Sequence, residues 1–423
     1  MRVLWLSMTP AKYDSYSSNG GGWIEALQRV VEKVAQIELG IAFVSSKENE
    51  EYRIRRDGVT YYPIYIRRNI WQKWYDKYSY KSIDKIIIDK SLEIVGDYRP
   101  DVIQVFGSES CFGLIQSRIK VPVVIHWQGM WNAYLDYAKM LTKSKNIQEI
   151  LFFLCKPRRF VNHFFLESHL SRERAAREET ILNNVRFYMG RTIWDKALTE
   201  LYSPNGHYYY CSEALRDAFV LSQHQWQCHS SEKYIFITTG LATRLKGYDI
   251  VLRTAQILKT RVNIDFEWRL IGPTPFQMRL FEKDTRIQCK NVNVVPLGNM
   301  TSSMVLEELL NADCYIHASY IDNSPNAICE AQYLGLPVIS TRVGGCLSLF
   351  SDEYNPRLLV GPGNPYEMAS AIRWLVASQE RMCSAGKINY SIARKRHDDN
   401  LIARNLLSIY ETIRENNDYD CSL

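Results

Sequence analysis

The chain has 423 residues, 46% hydrophobic and 23% charged, which is enough for two globular domains that each bury a core. Its 52 basic and 46 acidic residues leave a net charge of +6 with no concentrated basic element, which argues against a nucleic-acid binder and suits anionic partners, a membrane face included. Ten scattered cysteines form no CxxC pair or zinc spacing and read as reduced thiols of a cytosolic protein, and no segment is long enough to span a bilayer or to serve as a signal-peptide core.

The chain opens with an apolar strand in MRVLWLSMTP. A glycine loop, SYSSNGGG, follows, and then an amphipathic helix with Trp23, Leu27, Val30 and Val34 along one side. The loop is not GxGxxG, so the common dinucleotide fingerprint is unsupported. Further on, YIRRNIWQKWYDKY mixes Arg67, Arg68, Lys73 and Lys77 with Trp71, Trp74 and Tyr75. IQEILFFLCKPRRFVNHFF sets Lys156, Arg158 and Arg159 among phenylalanines. Aromatic and basic residues together favour a lipid headgroup layer, although packed helices with solvated cations would read the same way.

Between those stretches the strand-then-loop pattern repeats. RPDVIQVF runs into Gly107-Ser108-Glu109, and Pro122 to Ile125 exits through His126, Trp127, Gln128 and Gly129, with His126 and Gln128 on one side by alternation. The cluster Gly190-Arg191-Thr192 with Trp194-Asp195 leads to GHYYYCSEALRDAF, the expected last strand and helix of a first domain ending near Ser222. Arg191 suits either a phosphate or an ion pair with Asp195. The polar QHQWQCHSSEK is the expected hinge.

The second domain starts near Lys233. KYIFITTGLATRLKGYDIVLRTAQIL is strand, loop and helix, and its loop carries Arg244 and Lys246-Gly247. On the residues alone, a lysine before a glycine is more often a solvated turn residue than a phosphate ligand. ADCYIHAS is a buried-type strand ahead of SYIDNSPNAICEAQYLGLPVISTRVGG. There Ser324 suits an N-cap and Pro325 a first helical residue, and the free amides of that helix start can hold a phosphate. Asp322 sits in the loop and Glu330 on the helix, so each can accept hydrogen bonds from the hydroxyls of a ribose or a hexose. Val343-Gly344-Gly345 is a turn where backbone can approach a ligand closely. LIARNLLSIYETIRE is a final helix, and the acidic tail after Asn416 is expected to be disordered.

The Asp322-x7-Glu330 spacing, the Lys246-Gly247 loop and the opening glycine loop together resemble the retaining glycosyltransferases of family 4. The Gly190 to Arg216 region is similar to a bacterial subset of them. Asp322 stands where most relatives have Glu, and Leu241 where they have Arg. The resemblance implies an α/β, GT-B fold. It comprises two Rossmann-like domains facing across a cleft, residues 1–222 for the acceptor and 233–400 for the donor, with 401–423 crossing back. It implies that Glu330 binds the nucleotide ribose and Asp322 the transferred sugar, with Asn323, Ser324 and Asn326 helping and Gly21 and Gly22 approaching the donor phosphate. Lys246, supported by Arg244, would offset charge on the diphosphate leaving group. His126 would serve near the reacting centre, and Glu109, Gln128 and Arg191 are acceptor-side candidates.

The expected reaction moves a sugar from a nucleoside diphosphate to a hydroxyl of a glycan or lipid-linked saccharide, with retention and without metal or other cofactor. The acidic pairs Asp398-Asp399 and Asp418/Asp420 lie in late polar segments rather than in a strand-end loop. An epimerase or hydrolase of the same fold would turn over donor without acceptor. A non-catalytic binding protein with a degenerate donor site is the rival from another class.

Overall fold

The computed structural model describes residues 1–13, 22–48, 51–76, 78–143, 167–229 and 232–421. The chain divides into two compact units. The first comprises residues 1–191, 195–212 and 399–423, and the second residues 192–194 and 213–398. Among the described residues no helix is long and apolar enough to cross a membrane.

The first unit is built on β1 (Arg2–Ser7), β2 (Glu38–Ser45), β3 (Ile54–Arg56), β4 (Val59–Tyr65), β5 (Val102–Phe106), β6 (Val123–His126), β7 (Phe187–Gly190) and β8 (His207–Tyr210). Their order is β3-β4-β2-β1-β5-β6-β7-β8, parallel except for the β3–β4 hairpin, whose Asp57-Gly58 turn has positive φ at both residues. Val3, Leu4, Trp5 and Leu6 of β1 are all fully buried, as a parallel strand covered on both faces requires. From β1 the chain winds outward to β2 and β4 on one side and to β5, β6 and β7 on the other. The switch point of the sheet therefore lies between β1 and β5.

The last helix, Asp399–Cys421, belongs to this unit. Ile402, Leu406, Ile409, Tyr410 and Ile413 recur at helical spacing and are buried, and Asp399 pairs with Arg29. The helix continues past Asn416, where a disordered tail was expected, because the same helical run simply extends without a breaker.

In the second unit β9 (Tyr234–Thr239), β10 (Phe266–Ile271), β11 (Val294–Gly298), β12 (Cys314–His317), β13 (Val338–Thr341) and β14 (Leu359–Val360) form an all-parallel sheet of order β11-β10-β9-β12-β13-β14. The switch point falls between β9 and β12. Phe236, Trp268, Tyr315, Ile316 and Ile339 fill the core, and the Trp268 indole N–H donates to Thr238 Oγ1 at 3.0 Å.

Three expectations change here. Residues 213–222 pack with the second unit, since Leu215 and Phe219 bury in its core. The stretch expected as a polar hinge is anchored to the same unit. Trp226 is buried and donates from Nε1 to the Ala312 carbonyl at 2.7 Å, and Cys228 forms a disulfide with Cys383 of the helix Gln379–Arg396. The cysteines are thus not all reduced thiols. Cys111, Cys211, Cys289, Cys314, Cys329 and Cys346 are free and buried.

Candidate active site

In the second unit the loops leaving β9 and β12 stand side by side at the switch point, where open α/β sheets take their ligands. The first loop ends in a short 3-10 turn, Arg244–Lys246, and Gly247 with φ of +68°. A Cβ on Gly247 would lie 2.0 Å from the Ala318 carbonyl oxygen, and Tyr320 N–H donates to Leu245 O at 2.7 Å. The glycine therefore lets the Lys246 turn lie flat on the loop after β12. That contact delivers the Lys246 ammonium to Asp322, with Nζ 2.5 Å from Oδ2.

A second glycine turn closes on the same loop from the other side. Gly344 has φ of +47°, a Cβ there would meet the Asp322 carbonyl oxygen at 1.9 Å, and Gly345 N–H donates to that oxygen at 3.2 Å. The turn expected to admit a ligand thus holds the Asp322 backbone. Asp322 Oδ2 also receives His317 Nε2 at 3.0 Å and Ser319 Oγ at 3.3 Å. Burial alone would raise the Asp322 carboxyl, but Lys246 and His317 hold it well below the ordinary carboxylate range, so it stays ionised. Burial lowers the His317 imidazole, which is neutral at pH 7.

The helix that follows is Asn326–Leu334, with Pro325 in the capping position, one residue later than the Ser324 cap expected from sequence. Ser324 and Asn323 are buried beside it, and Asn323 Oδ1 accepts from Thr192 Oγ1 at 3.0 Å. Gly335, with φ of +86°, ends the helix, and its N–H donates to Gln332 O at 3.0 Å. Glu330 lies on this helix and is 3% exposed. Both of its oxygens are held by Arg216, Nε to Oε1 at 2.6 Å and Nη2 to Oε2 at 2.7 Å. Burial pushes the Glu330 carboxyl up, and the guanidinium works against that rise. Arg244 is not in the Asp322 cluster, because its guanidinium pairs with Asp284 of the helix Pro275–Thr285.

In the first unit, Gly21 lies outside the described residues, as do Lys77 and the stretch containing Lys156, Arg158 and Arg159; Gly22 begins the helix Gly22–Val31. A cavity of about 410 Å³ opens at the β1–β5 switch point, lined by Ser7, Ile83, Phe106, Glu109, Gln128 and Arg177 among others. Arg177 pairs with Asp84 at 2.8 and 2.9 Å and donates to the Glu109 carbonyl, which fixes the loop. Burial pushes the Glu109 carboxyl up to about 8, against hydrogen bonds from the backbone of Glu109, Ser108 and Gly129.

His126 does not share that cavity wall. It is fully buried, edge-on to Trp23 at 5.2 Å, and lowered to about 3 by burial and by Arg191, so it is neutral. Its tautomer follows from a chain of bonds. Trp5 Nε1 donates to Tyr410 Oη at 3.1 Å, Tyr410 then donates to Gln104 Oε1, and Gln104 Nε2 donates to His126 Nδ1 at 3.1 Å. With the Gln104 amide in this orientation the imidazole accepts at Nδ1 and carries its proton on Nε2. Arg191 donates its backbone N–H to Asp195 at 2.9 Å, and its guanidinium stands over Trp23 at 5.5 Å.

Residues 232–378, which contain Lys246, Asp322 and Glu330, match the family model of the glycosyl transferases group 1. The second unit carries a group 1 glycosyl transferase domain. It is an enzyme domain of the transferase class, and the fold of the whole chain is GT-B. The putative teichuronic acid biosynthesis glycosyltransferase TuaC of Bacillus subtilis is 37% identical over 75 residues, 18% of this chain and 19% of that protein. The N,N'-diacetylbacillosaminyl-diphospho-undecaprenol alpha-1,3-N-acetylgalactosaminyltransferase of Campylobacter jejuni is 25% identical over 189 residues, 44% of this chain and 46% of that one. The matches thus span less than half the length of either curated relative. Around the group 1 domain, the fold is that of Anabaena Alr3699/HepE in complex with UDP-glucose, with a TM-score of 0.63 at 14% identity over 98% of this chain and all of that one.

His317 and Ser319 escaped the sequence reading, and Arg216 entered it only as the end of a family-like cluster with no partner assigned. Arg216, His317 and Ser319 have partners fixed only by folding, and the one local signal was His317 at the end of a strand that otherwise closes on small residues.

Proposed function

We propose that the chain is a retaining glycosyltransferase of family 4 that moves a sugar from a nucleoside diphosphate to a hydroxyl of a glycan or lipid-linked saccharide in surface polysaccharide synthesis. The observation that carries the reading is the placement of Lys246 on Asp322 at the switch point of a group 1 glycosyl transferase domain, with Glu330 on the adjoining helix. Lys246 and the amides at the start of the helix Asn326–Leu334 offset charge that builds on the departing diphosphate, an arrangement set before the reaction begins. Glu330, oriented by Arg216, reads the ribose, and Asp322 reads the transferred sugar. On this reading no metal takes part. The relation to HepE, whose complex holds UDP-glucose, and to transferases named for teichuronic acid and a diphospho-undecaprenol acceptor supports the donor and acceptor classes.

The acceptor reading rests on the cavity beside Glu109 and Gln128 in the first unit. The protein works on the cytoplasmic side, touching the membrane peripherally through the exposed helix Ile70–Tyr75.

The test is a thermal-shift screen of the purified protein against UDP- and GDP-sugars, with Lys246→Ala and Glu330→Ala alongside. One donor class raises the melting temperature of the wild type and not of the variants. Lys246→Ala lowers kcat/KM by about 10²–10³-fold. No shift with any donor at saturating concentration overturns the proposal.

A further inference from the structure

Three donors crowd one oxygen of Asp322. Lys246 Nζ, His317 Nε2 and Ser319 Oγ all reach Oδ2, at 2.5, 3.0 and 3.3 Å, and Oδ1 takes no hydrogen bond from any described residue. Three donors converging on Oδ2 hold that oxygen in place against a terminal torsion that is otherwise broad. Loading one oxygen fixes the plane and leaves the other as an acceptor with its lone pairs unspent.

Of the three donors, His317 has the least freedom. Its ring sits at the end of β12, 3% exposed, with Nδ1 at 3.4 Å from both Ser340 Oγ and Thr341 Oγ1 of β13. Lys246, by contrast, arrives on a four-carbon stem whose ammonium the diphosphate would also attract.

We infer that His317 is a positioning residue which, on the donor reading above, locks the Asp322 carboxylate so that Oδ1 alone faces a hydroxyl or amide N–H of the transferred sugar. When Lys246 turns toward the diphosphate, His317 keeps the carboxylate in place. The residue therefore acts on recognition of the sugar ring and not on recognition of the nucleotide.

The side-chain amide nitrogen of glutamine falls near imidazole Nε2 and that of asparagine near Nδ1. His317→Gln therefore keeps the bond to Asp322, and His317→Asn keeps only the contacts toward Ser340 and Thr341. Calorimetric titration of the whole chain compares UDP with UDP-glucose, UDP-galactose, UDP-N-acetylglucosamine and UDP-N-acetylgalactosamine, and GDP with GDP-mannose. The expected result is a sugar nucleotide that binds the wild type more tightly than its bare diphosphate. In His317→Asn that advantage falls by about tenfold or more while the bare diphosphate stays within about twofold, and His317→Gln restores it. Equal weakening of diphosphate and sugar nucleotide in the asparagine variant, or failure of glutamine to restore the difference, overturns the inference. A wild type that binds diphosphates but gains nothing from any sugar overturns it as well. A wild type that binds neither overturns the donor reading itself.

Discussion

Arg216 grips both carboxylate oxygens of Glu330, a residue 114 positions later, at 2.6 and 2.7 Å. Glu330 is almost completely buried, so removal of the guanidinium strands a charge in a dry site. Arg216→Met should destabilise the protein by about 3 kcal/mol, the low end for breaking a buried pair because Arg216 itself keeps some solvent contact. Urea unfolding measures this. Adding Glu330→Gln should recover more than half of the loss, since no uncompensated charge then remains. A double variant as unstable as the single one would contradict that account.

Two glycines separate backbone strain from close approach. Gly58 and Gly247 both have positive φ, but a Cβ on Gly58 meets nothing within 4 Å, while one on Gly247 meets the Ala318 carbonyl at 2.0 Å. Gly58→Ala should cost about 1 kcal/mol, the left-handed penalty alone. Gly247→Ala should cost at least twice that and abolish the thermal shift produced by donor. Equal denaturant midpoints for the two variants would show that the contact under Lys246 carries no energy.

Glu109 gives the stability a pH dependence of known sign. Its carboxyl is raised from 4.5 to about 8 by burial, so between those values the folded protein holds a proton that the unfolded chain has released. Stability contributed by that proton is full below about 4.5 and is lost as pH rises to about 8. Glu109→Gln should flatten the decline in melting temperature across this window. A variant that tracks the wild type at every pH would show that the carboxyl ionises normally.

The helix Ile70–Tyr75 buries none of its residues. Ile70 is 83% and Trp71 80% exposed, with Arg67, Arg68 and Lys73 close by in sequence. Such a cluster suits the headgroup layer of an anionic membrane. Sedimentation with vesicles containing phosphatidylglycerol should fall several-fold in Trp71→Ala/Trp74→Ala and in Arg67→Ala/Lys73→Ala, and only in the second should added salt already reproduce the loss in the wild type. Unchanged sedimentation in both would remove the membrane from the proposal.

Asp322 and Glu330 were legible as candidates because they share one short strand-loop-helix unit. Asp322 and Glu330 fall where spacing alone puts one acid in a loop and the other on a helix, and Lys246 precedes a glycine that the turn needs. What could not be read were the partners chosen by folding. Arg244 was expected to support Lys246, yet Asp284, on a helix 40 residues later, takes it. Cys228 and Cys383 are 155 residues apart, and nothing in their surroundings announces a pair. Trp226 sits in so polar a stretch that hydropathy hides its burial. Periodicity reports which face a residue presents, whereas a side chain's partner depends on which distant segment that face meets.

Tyr410, near the other end of the chain, orients the Gln104 amide that meets His126 Nδ1. Anyone grafting the closing helix of a relative onto this protein, or trimming the chain ahead of that tyrosine, would therefore edit the chemistry of a histidine 284 positions away without touching its neighbours in sequence. With the tyrosine gone, Gln104 is free to turn its amide over, and the imidazole can carry its proton on the other nitrogen. A chimera intended to swap only a structural cap would arrive without the hydroxyl that orients Gln104 toward this histidine.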